Sequence, residues 1–522
     1  MVESVEADME AQTPCFNLID EPWIPVRWLD GRHSELGIRE ALLQADQIAE
    51  IEDASPLVVA ALHRFLLAVL YRALEGPTDG QQAKQWFKQG WPEGRVEAYL
   101  EKWRDRFWLF DQHYPFGQIP GYAPKKWHAW TVLAAEHNAN NAKVLIDHVD
   151  VSNPGAIPLK KATRWLLALQ AFALGGGNSD FVYTKSAPSP NAVMAIPIGS
   201  SLFSTLMFSL VPQNRMITEG DCALWEREPE TVEGLGTGPQ RICNGFADLF
   251  LWRTRAIRFE QPTNGESAIS RVGLASGVGF SPSNLDDPML GYRISKDGGK
   301  FPVQFSERSF WRDFQSMLPD ANGLAPRTVE NAIALGRADP ARFPRAIMVT
   351  GFANKPGQAK IEFWRMEHFA LPHTEGDIRR IRTAVEALLE VAEHSGKVLN
   401  SACEVFARFL LTRGNRKLKQ ADITAFVGQM PVTDNYWASL EARFHQILGE
   451  YTDERDPDDI RLSWLRYVRS AMSSAWRAYA SGVAAGDAWA IRALVHAEAP
   501  ILRHLTHLND EISKLDPLKE PA

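Results

Sequence analysis

Residues 55–75 read SPLVVAALHRFLLAVLYRALE, and this stretch carries a strong helical pattern. Pro56 suits the first turn of a helix, and Ser55 in front of it is a favourable N-cap. The apolar residues that recur at helical spacing on one stripe are Leu57, Ala61, Leu62, Phe65, Leu66, Val69 and Leu70. The stretch therefore predicts a helix over residues 56–75.

Outward from this helix, the chain up to residue 372 mixes helical and strand-like patterns. Residues 1–14 are polar and acidic and are expected to form a disordered tail, and residues 16–26 predict two strands around a proline turn. Further helices are predicted at 35–46, within 79–107 and at 158–174. Strands are predicted at 192–200, 205–210, 255–261 and 268–275, and on both sides of 351–358.

Beyond about residue 373 the patterns become almost entirely helical. Helices are predicted at 376–394, 397–413, 433–450, 460–482 and 486–512. Long helices joined by short polar breaks are typical of an antiparallel bundle. The expected fold class is α+β: a large mixed domain over 15–372, followed by a C-terminal helical bundle of the four-helix type over 373–522.

Length and composition restrict the function. A chain of 522 residues exceeds one ordinary core, and its net charge of −8 is unusual for a free-standing nucleic-acid binder. The chain therefore either binds no nucleic acid, which composition alone favours, or binds it through local basic patches inside a larger assembly. The four cysteines form no C-x-x-C pair, so we expect neither a disulfide framework nor a zinc site, and a reducing cytoplasm fits. No signal peptide or membrane span is predicted.

The sequence contains none of the short motifs of common catalytic sites. There is no P-loop, H-E-x-x-H or G-x-S-x-G, and no cofactor is predicted. His504 and His507 lie one helical turn apart near Asp510 and Glu511. They could hold a metal, or they could belong to a solvated helix face, and we assign no metal.

Three local features have both a structural and a functional interpretation. Gly175, Gly176 and Gly177 could end a helix, or they could let backbone approach a ligand. Gln358 could lie in an ordinary exposed turn, or it could project from a hairpin tip. The last feature is a basic run that could be a solvated helix end or could contact phosphates: Arg413, Arg416, Lys417 and Lys419.

In their order along the chain, these features resemble those of the CasA family, the large subunit of the type I-E CRISPR Cascade complex. The opening FNLIDEPWIPV at 16–26 is the most specific part, and an H-x-P-F-like element follows at 113–116. A long loop, the glycines at 175–177, the hairpin GFANKPGQ at 351–358 and a helical C-terminus complete the order. The resemblance spans essentially the whole chain.

The resemblance implies a DNA-recognition role for particular residues. In the family, a glycine loop reads the short motif that flanks the target, the PAM, from the minor groove of the duplex, and a glutamine wedge acts beside it. The glycine loop matches Gly175, Gly176 and Gly177, and the wedge matches Gln358 with Asn354 and Lys355 beside it. The family's lysine finger has no counterpart, because residues 262–266 contain no lysine; the nearest basic residues are Arg258 and Arg271.

The resemblance also implies partners. A family loop that docks on the guide RNA and the backbone subunits falls near 137–153 here, with Asn138, Asn141 and Lys143 as candidates. The implied partners are CRISPR RNA, target double-stranded DNA, the other Cascade subunits and a helicase–nuclease. The chain is then a non-catalytic sensor that promotes strand separation and R-loop formation. Two alternatives stay open: a metal-dependent nuclease or hydrolase, and a purely structural assembly scaffold.

Overall fold

The computed structural model describes residues 14–134, 154–177, 179–213, 220–262, 267–281, 285–355, 358–372, 378–412, 418–452, 455–483 and 486–516. It confirms the predicted fold class, with mixed helices and sheets followed by a helical C-terminal region. The described residues fall into two compact units. The first runs to Arg308 and resumes at Asn322–His368; the second combines Ser309–Ala321 with the chain from Phe369 onward.

The first unit is built from helices and several small sheets. Its helices are Ile38–Leu43, Pro56–Leu74, Gly80–Gln89, Glu93–Lys102, Leu159–Phe172, Leu202–Ser209, Val232–Gly236, Phe246–Phe250 and Arg327–Ala338. It has three three-stranded sheets. In the first, Arg271–Ser276 lies between Arg255–Phe259 and His128–Ala129; in the second, Ala346–Asn354 lies between Ile361–Ala370 and Met194–Ile198. In the third, Ile24–Trp28 lies between His33–Leu36 and Ile48–Ile51. Its two-stranded pairs are Cys15–Asn17 with Trp108–Phe110, Ile157–Pro158 with Ala268–Ile269, Gln240–Arg241 with Gly279–Phe280, and Tyr292–Ile294 with Lys300–Pro302.

The helix Pro56–Leu74 is confirmed, and we call it the core helix. The Ser55 hydroxyl accepts a hydrogen bond from the Val58 amide at 3.3 Å, as expected of an N-cap. The helix is buried around its whole circumference, not on one stripe alone. It is long and apolar enough to cross a membrane, but 94% of its most apolar window is buried inside the protein. Its composition therefore reflects a position at the centre of the first unit.

One predicted strand is wrong. Residues 205–209 belong to the helix Leu202–Ser209 and Leu210 is its C-cap; the Ser201 hydroxyl caps the first turn. The segment LFSTLMFS is buried on nearly all sides, so it lacks the polar face that would have shown a helical period. Short apolar runs of this kind fit a buried strand or a buried helix equally well by pattern.

The second unit contains the long C-terminal helices. Their bounds are Ile378–Leu411, Gln420–Val427, Val432–Thr452, Pro457–Ser481 and Ala488–Leu515. The predicted break between 394 and 397 is wrong, because one helix runs through it. A Cβ at Gly396 would lie 2.3 Å from a ring carbon of Trp437, so this glycine allows close packing rather than ending the helix.

The core of the second unit includes a segment that the sequence placed in the mixed domain. The 3₁₀ helix Phe310–Met317 packs Trp311 against Phe444 with ring centroids 5.1 Å apart. Phe314 stacks on Phe369 at 4.9 Å. A linear division at residue 372 therefore does not describe this unit, since Ser309–Ala321 supplies part of its aromatic core.

A buried ion pair anchors the core helix and generates a stability prediction. Arg64 Nη1 donates to Asp287 Oδ2 at 2.7 Å, and both side chains are only 5% exposed. Asp287→Asn would leave the guanidinium buried without its counter-charge, so we expect the free energy of unfolding to fall by about 3 kcal/mol. Urea denaturation of the full chain measures this loss. The control is Arg95→Gln, which breaks the exposed ion pair with Glu75 and should change the free energy of unfolding by less than about 1 kcal/mol. Equal losses of stability in the two variants would contradict the prediction.

The second unit is expected to lose stability in mild acid. His504 is buried, with Nε2 2.8 Å from the Ser395 hydroxyl and the rings of His394 and His507 nearby. Burial, assisted by these two histidines, lowers the pKa of His504 from 6.5 to about 4. The unfolded chain therefore takes up a proton that the folded chain refuses as pH falls from about 6.5 to about 4, and stability declines across that window.

Hydrogen exchange of the helix Ala488–Leu515 in the full chain tests this effect. After correction for intrinsic rates, its protection should be lower at pH 5 than at pH 7. His504→Gln removes the titrating ring and should flatten the difference. If the variant and the wild type lose the same protection, His504 does not control the acid response.

Candidate functional site

The glycines at 175–177 belong to a hydrogen-bonded ribbon. The helix Leu159–Phe172 ends before them, so they do not cap it. Residues 173–177 run beside residues 184–187, and we call these two segments the glycine ribbon. Its bonds are Ala187 N to Ala173 O at 2.8 Å, Gly175 N to Ser186 Oγ at 2.8 Å, Gly176 N to Thr184 O at 3.1 Å and Thr184 N to Gly177 O at 3.1 Å. The loop is therefore a hydrogen-bonded structural element and not the cap of a helix.

Each glycine of the ribbon has a specific reason to lack a side chain. A Cβ at Gly175 would lie 2.9 Å from the amide nitrogen of Ser186, too close for the ribbon to keep its spacing. Gly176 has φ +132° and Gly177 has φ +74°, which L residues rarely adopt. The Thr184 hydroxyl also bonds the Gly176 carbonyl, which fixes the ribbon at this point.

The hairpin around Gln358 has an ordered base. Its strands are Ala346–Asn354 and Ile361–Ala370, and Pro356 and Gly357 lie outside the described residues. The Gln358 amide donates to the Lys355 carbonyl at 3.0 Å, and Asn354 Nδ2 donates to the Gln358 carbonyl at 3.1 Å. The side chains of Lys355 and Gln358 are exposed.

The Asn354 side chain links the hairpin to neighbouring side chains by hydrogen bonds. Its Oδ1 accepts a hydrogen bond from Asn191 Nδ2 at 2.9 Å, and the Asn191 Oδ1 accepts from Gln304 Nε2 at 3.1 Å. An amide engaged at both ends cannot easily turn towards a ligand. Of the three hairpin residues in the sequence prediction, Lys355 and Gln358 are therefore the ones available for contact, and Asn354 supports them.

The glycine ribbon and the hairpin meet along one open groove. A Cβ at Gly176 would stand 3.5 Å from the Cβ of Ala359, the residue after Gln358. Behind them, the rings of Phe172 and Phe352 pack edge to face with centroids 6.1 Å apart. Two features separated by about 180 residues in the sequence thus form one surface.

The groove carries an excess of positive charge. Lys125, Lys126, His128 and Arg255 line it, and Asp180 is the acid among its described lining residues. Asp180 Oδ2 accepts from the Tyr122 hydroxyl at 2.8 Å and from the Lys125 amide at 2.9 Å, so its charge is partly satisfied within the fold. Burial, together with the nearby Lys126, lowers the pKa of His128, which favours its neutral form.

Sequence reasoning missed Lys125, Lys126 and the aromatic Tyr183. Tyr183 is 56% exposed, and its hydroxyl lies 3.9 Å from where a Cβ at Gly176 would be. An exposed ring beside a basic groove can stack on a nucleobase. The adjacent lysines within an irregular, proline-containing stretch were the available signal, but nothing local connects them to the glycines.

The remaining predicted residues lie elsewhere or outside the described part of the chain. Asn138, Asn141 and Lys143 lie outside the described residues, as do Arg413, Arg416 and Lys417 and the hairpin residues 263–266. Lys419 is exposed and stands at the start of the helix Gln420–Val427, where its amide donates to Asp422 Oδ2 at 3.2 Å. It therefore begins a helix instead of ending one.

The other basic and metal candidates are not assembled into a site. Arg271 forms an exposed ion pair with Glu260, and Arg258 is half-buried. Across the described ranges, no three His, Cys, Asp or Glu side chains cluster in a way that could hold a metal ion.

The chain matches one protein family along most of its length. The model of the family described as CRISPR-associated protein Cse1 matches residues 17–475. A CRISPR-associated protein CasA/Cse1 from Thermus thermophilus is 32% identical over 508 residues, covering 95% of this chain and 98% of that protein.

Solved structures show the same fold. The structure of Thermus thermophilus CasA (Cse1) has a TM-score of 0.82 at 31% identity and covers 95% of this chain and all of its own. A chain of a structure titled CRISPR RNA-guided surveillance complex has a TM-score of 0.71 at 18% identity, over 94% of this chain and all of its own; this similarity concerns the fold alone.

Proposed function

This chain belongs to the CRISPR-associated Cse1 family, and we propose that it is the non-catalytic, DNA-sensing large subunit of a type I-E RNA-guided surveillance complex. It recognises the PAM in double-stranded DNA from the minor groove and starts strand separation there. The single observation that carries the proposal is the convergence of the glycine ribbon and the Gln358 hairpin on one basic groove.

The shape of the ribbon suits a minor groove. That groove is about 6 Å wide and offers a donor and acceptor pattern that mainly separates A·T from G·C. A backbone segment without Cβ atoms at Gly175, Gly176 and Gly177 can approach its floor where larger residues would collide. Such a reader would accept several related motifs rather than one sequence.

Local charge supplies the affinity. The protein as a whole has a net charge of −8, yet Lys125, Lys126 and Arg255 lie along the same groove. Contacts between lysines and phosphates release counterions, and this release drives binding at short range whatever the total charge of the protein. The guide RNA and partner subunits would carry most of the remaining nucleic-acid contacts.

The hairpin suits a wedge. The backbone of Gln358 is fixed by hydrogen bonds to Lys355 and Asn354, so insertion has to order the exposed Gln358 side chain but not the backbone that carries it. Unstacking one base step costs roughly a few kcal/mol. Guide pairing can then extend the opened region, as in other RNA-guided systems.

We propose the other contacts of the complex from the resemblance to the family. We assign the region 137–153, with Asn138, Asn141 and Lys143, to docking on the CRISPR RNA and the backbone subunits. Phosphate contacts in the second unit are assigned to Arg413, Arg416, Lys417 and Lys419. Once the R-loop has formed, the subunit helps to recruit the helicase–nuclease that degrades the target.

A nuclease and a pure scaffold are the competing functions. Incubation of the purified chain with DNA and divalent metal tests the first, and product formation would favour it. A scaffold without DNA contact predicts that changes in the groove leave DNA binding untouched. The two variants below separate a scaffold from a sensor.

Gly176→Asp should weaken binding of the assembled complex to PAM-bearing duplex by about tenfold or more, because a carboxylate would enter the groove and repel phosphates. Gly176→Asn has the same size and backbone strain without the charge, so its loss should be smaller. Gly31→Asp is the control, since Gly31 also has a positive φ of +88° and open space around it. Affinity measurements at two salt concentrations check this, and unchanged binding by Gly176→Asp would rule out the glycine ribbon as a DNA contact.

Gln358→Ala should slow strand separation more than it weakens initial docking. On a duplex whose first target base pair is already mismatched, no base pair has to be opened by the wedge. The variant should therefore form R-loops at the wild-type rate on this duplex. The measurement is R-loop formation on matched and pre-opened duplexes with both proteins. An equal defect on the two substrates would show that Gln358 does not act as a wedge.

A further inference from the structure

Arg255 lies beneath the glycine ribbon and is bonded to both of its sides. Its Nη2 donates to the Leu174 carbonyl at 2.6 Å, next to the first glycine of the ribbon. Its Nη1 donates to the Lys185 carbonyl on the returning segment at 2.7 Å. One planar guanidinium therefore connects the two sides of the ribbon and sets the distance between them.

The partners of Arg255 differ from those of comparable buried arginines. Arg64 pairs with Asp287 and Arg253 pairs with Glu230, whereas within the described residues no carboxylate lies at ion-pair distance from Arg255. Burial lowers the pKa of Arg255 to about 10, so it stays charged near neutral pH. A cation that is 5% exposed and satisfied by carbonyl oxygens holds those carbonyls firmly, because releasing them would leave the charge unsolvated.

The backbone of Arg255 is itself fixed. Gln170, near the end of the helix that precedes the ribbon, accepts from the Arg255 amide through Oε1 and donates to the Arg255 carbonyl through Nε2, each at 2.8 Å. Arg255 also begins the strand that pairs with Arg271–Ser276. The rigid helix and sheet thus position the guanidinium, and the guanidinium positions the ribbon.

We propose that Arg255 is a positioning residue that sets the separation and register of the two sides of the glycine ribbon, and through them the motif selectivity of the groove. This inference rests on the proposed function of the ribbon. A ribbon held in one geometry distinguishes base pairs by small differences in groove shape and edge chemistry. A ribbon free to shift would fit preferred and non-preferred motifs more equally, so selectivity would fall further than general DNA affinity.

The test compares Arg255→Met with Arg253→Met in the complex reconstituted with its guide and partner subunits. Arg253 is buried to a similar degree, two residues away, but bonds Glu230 and not the ribbon. A duplex library with a randomised flank, sequenced after selection, identifies the preferred and rejected motifs. The selectivity, taken as the ratio of the two affinities, should fall about tenfold in Arg255→Met and stay near wild type in Arg253→Met.

Two further readouts separate positioning from general stability. Amide exchange of the ribbon peptides that contain Gly176 and Thr184 should accelerate in Arg255→Met while the helix Leu159–Phe172 stays protected. Arg255→Lys keeps the charge but offers a single nitrogen, which cannot occupy both guanidinium positions, so selectivity should fall severalfold with little change in Tm. If Arg255→Met does not fold, the motif selectivity of Arg255→Lys alone tests the inference.

The inference is overturned if selectivity is unchanged in the Arg255 variants, or if Arg253→Met lowers it equally. These outcomes are distinct from failure of the proposed function. If Gly176→Asp leaves DNA binding intact, the ribbon is not a DNA contact and the proposed function fails with it. If Gly176→Asp weakens binding while both Arg255 variants keep full selectivity, only the role of Arg255 is wrong.

Discussion

Near-complete burial of the core helix is the constraint on which the first unit depends. Helix Pro56–Leu74 packs against the helix Leu159–Phe172 and against the strand Ala346–Asn354. The Thr350 hydroxyl donates to the Pro56 carbonyl at 3.3 Å, which ties the strand to the first turn of the core helix. The glycine ribbon comes directly after the helix Leu159–Phe172, and the strand Ala346–Asn354 is the first strand of the Gln358 hairpin. One rigid element therefore holds both halves of the candidate site in a common frame.

An acidic protein can present a basic groove because electrostatic interactions near a surface are local. At physiological ionic strength charges separated by more than about 8 Å are largely screened, so the total of −8 says little about one groove. Many basic side chains of the first unit form ion pairs with acidic side chains, such as Arg164 with Glu35 and Arg241 with Asp248. Lys126 in the groove is not paired in this way within the described residues, which leaves its charge for an anionic ligand, whereas Arg255 is bonded to carbonyls of the glycine ribbon.

Glycine serves three physical purposes in this chain, and only their surroundings distinguish them. Gly176 allows a left-handed backbone in the ribbon, Gly175 allows the close approach of Ser186, and Gly396 allows Trp437 to pack on a continuous helix. By sequence pattern, one helix ends at the glycines 175–177 and another breaks between 394 and 397. The structure ends the first helix at Phe172, in agreement with the pattern, but continues the second through Gly396, because tertiary contacts override weak local preferences.

The sequence by itself determined the features that depend on near neighbours along the chain. These include the core helix with its Ser55 cap, the hairpin strands around 351–358, the helical C-terminus and the ordered motifs that indicated the family. Only the tertiary structure decided that Gly176 lies beside Ala359, that Lys125 and Lys126 line the same groove, and that Arg255 bonds both sides of the ribbon. It also decided that Ser309–Ala321 joins the helical unit. The physical reason is that hydrophobic periodicity and capping act over a few residues, whereas the packing that brings distant segments together depends on the shapes of whole buried surfaces.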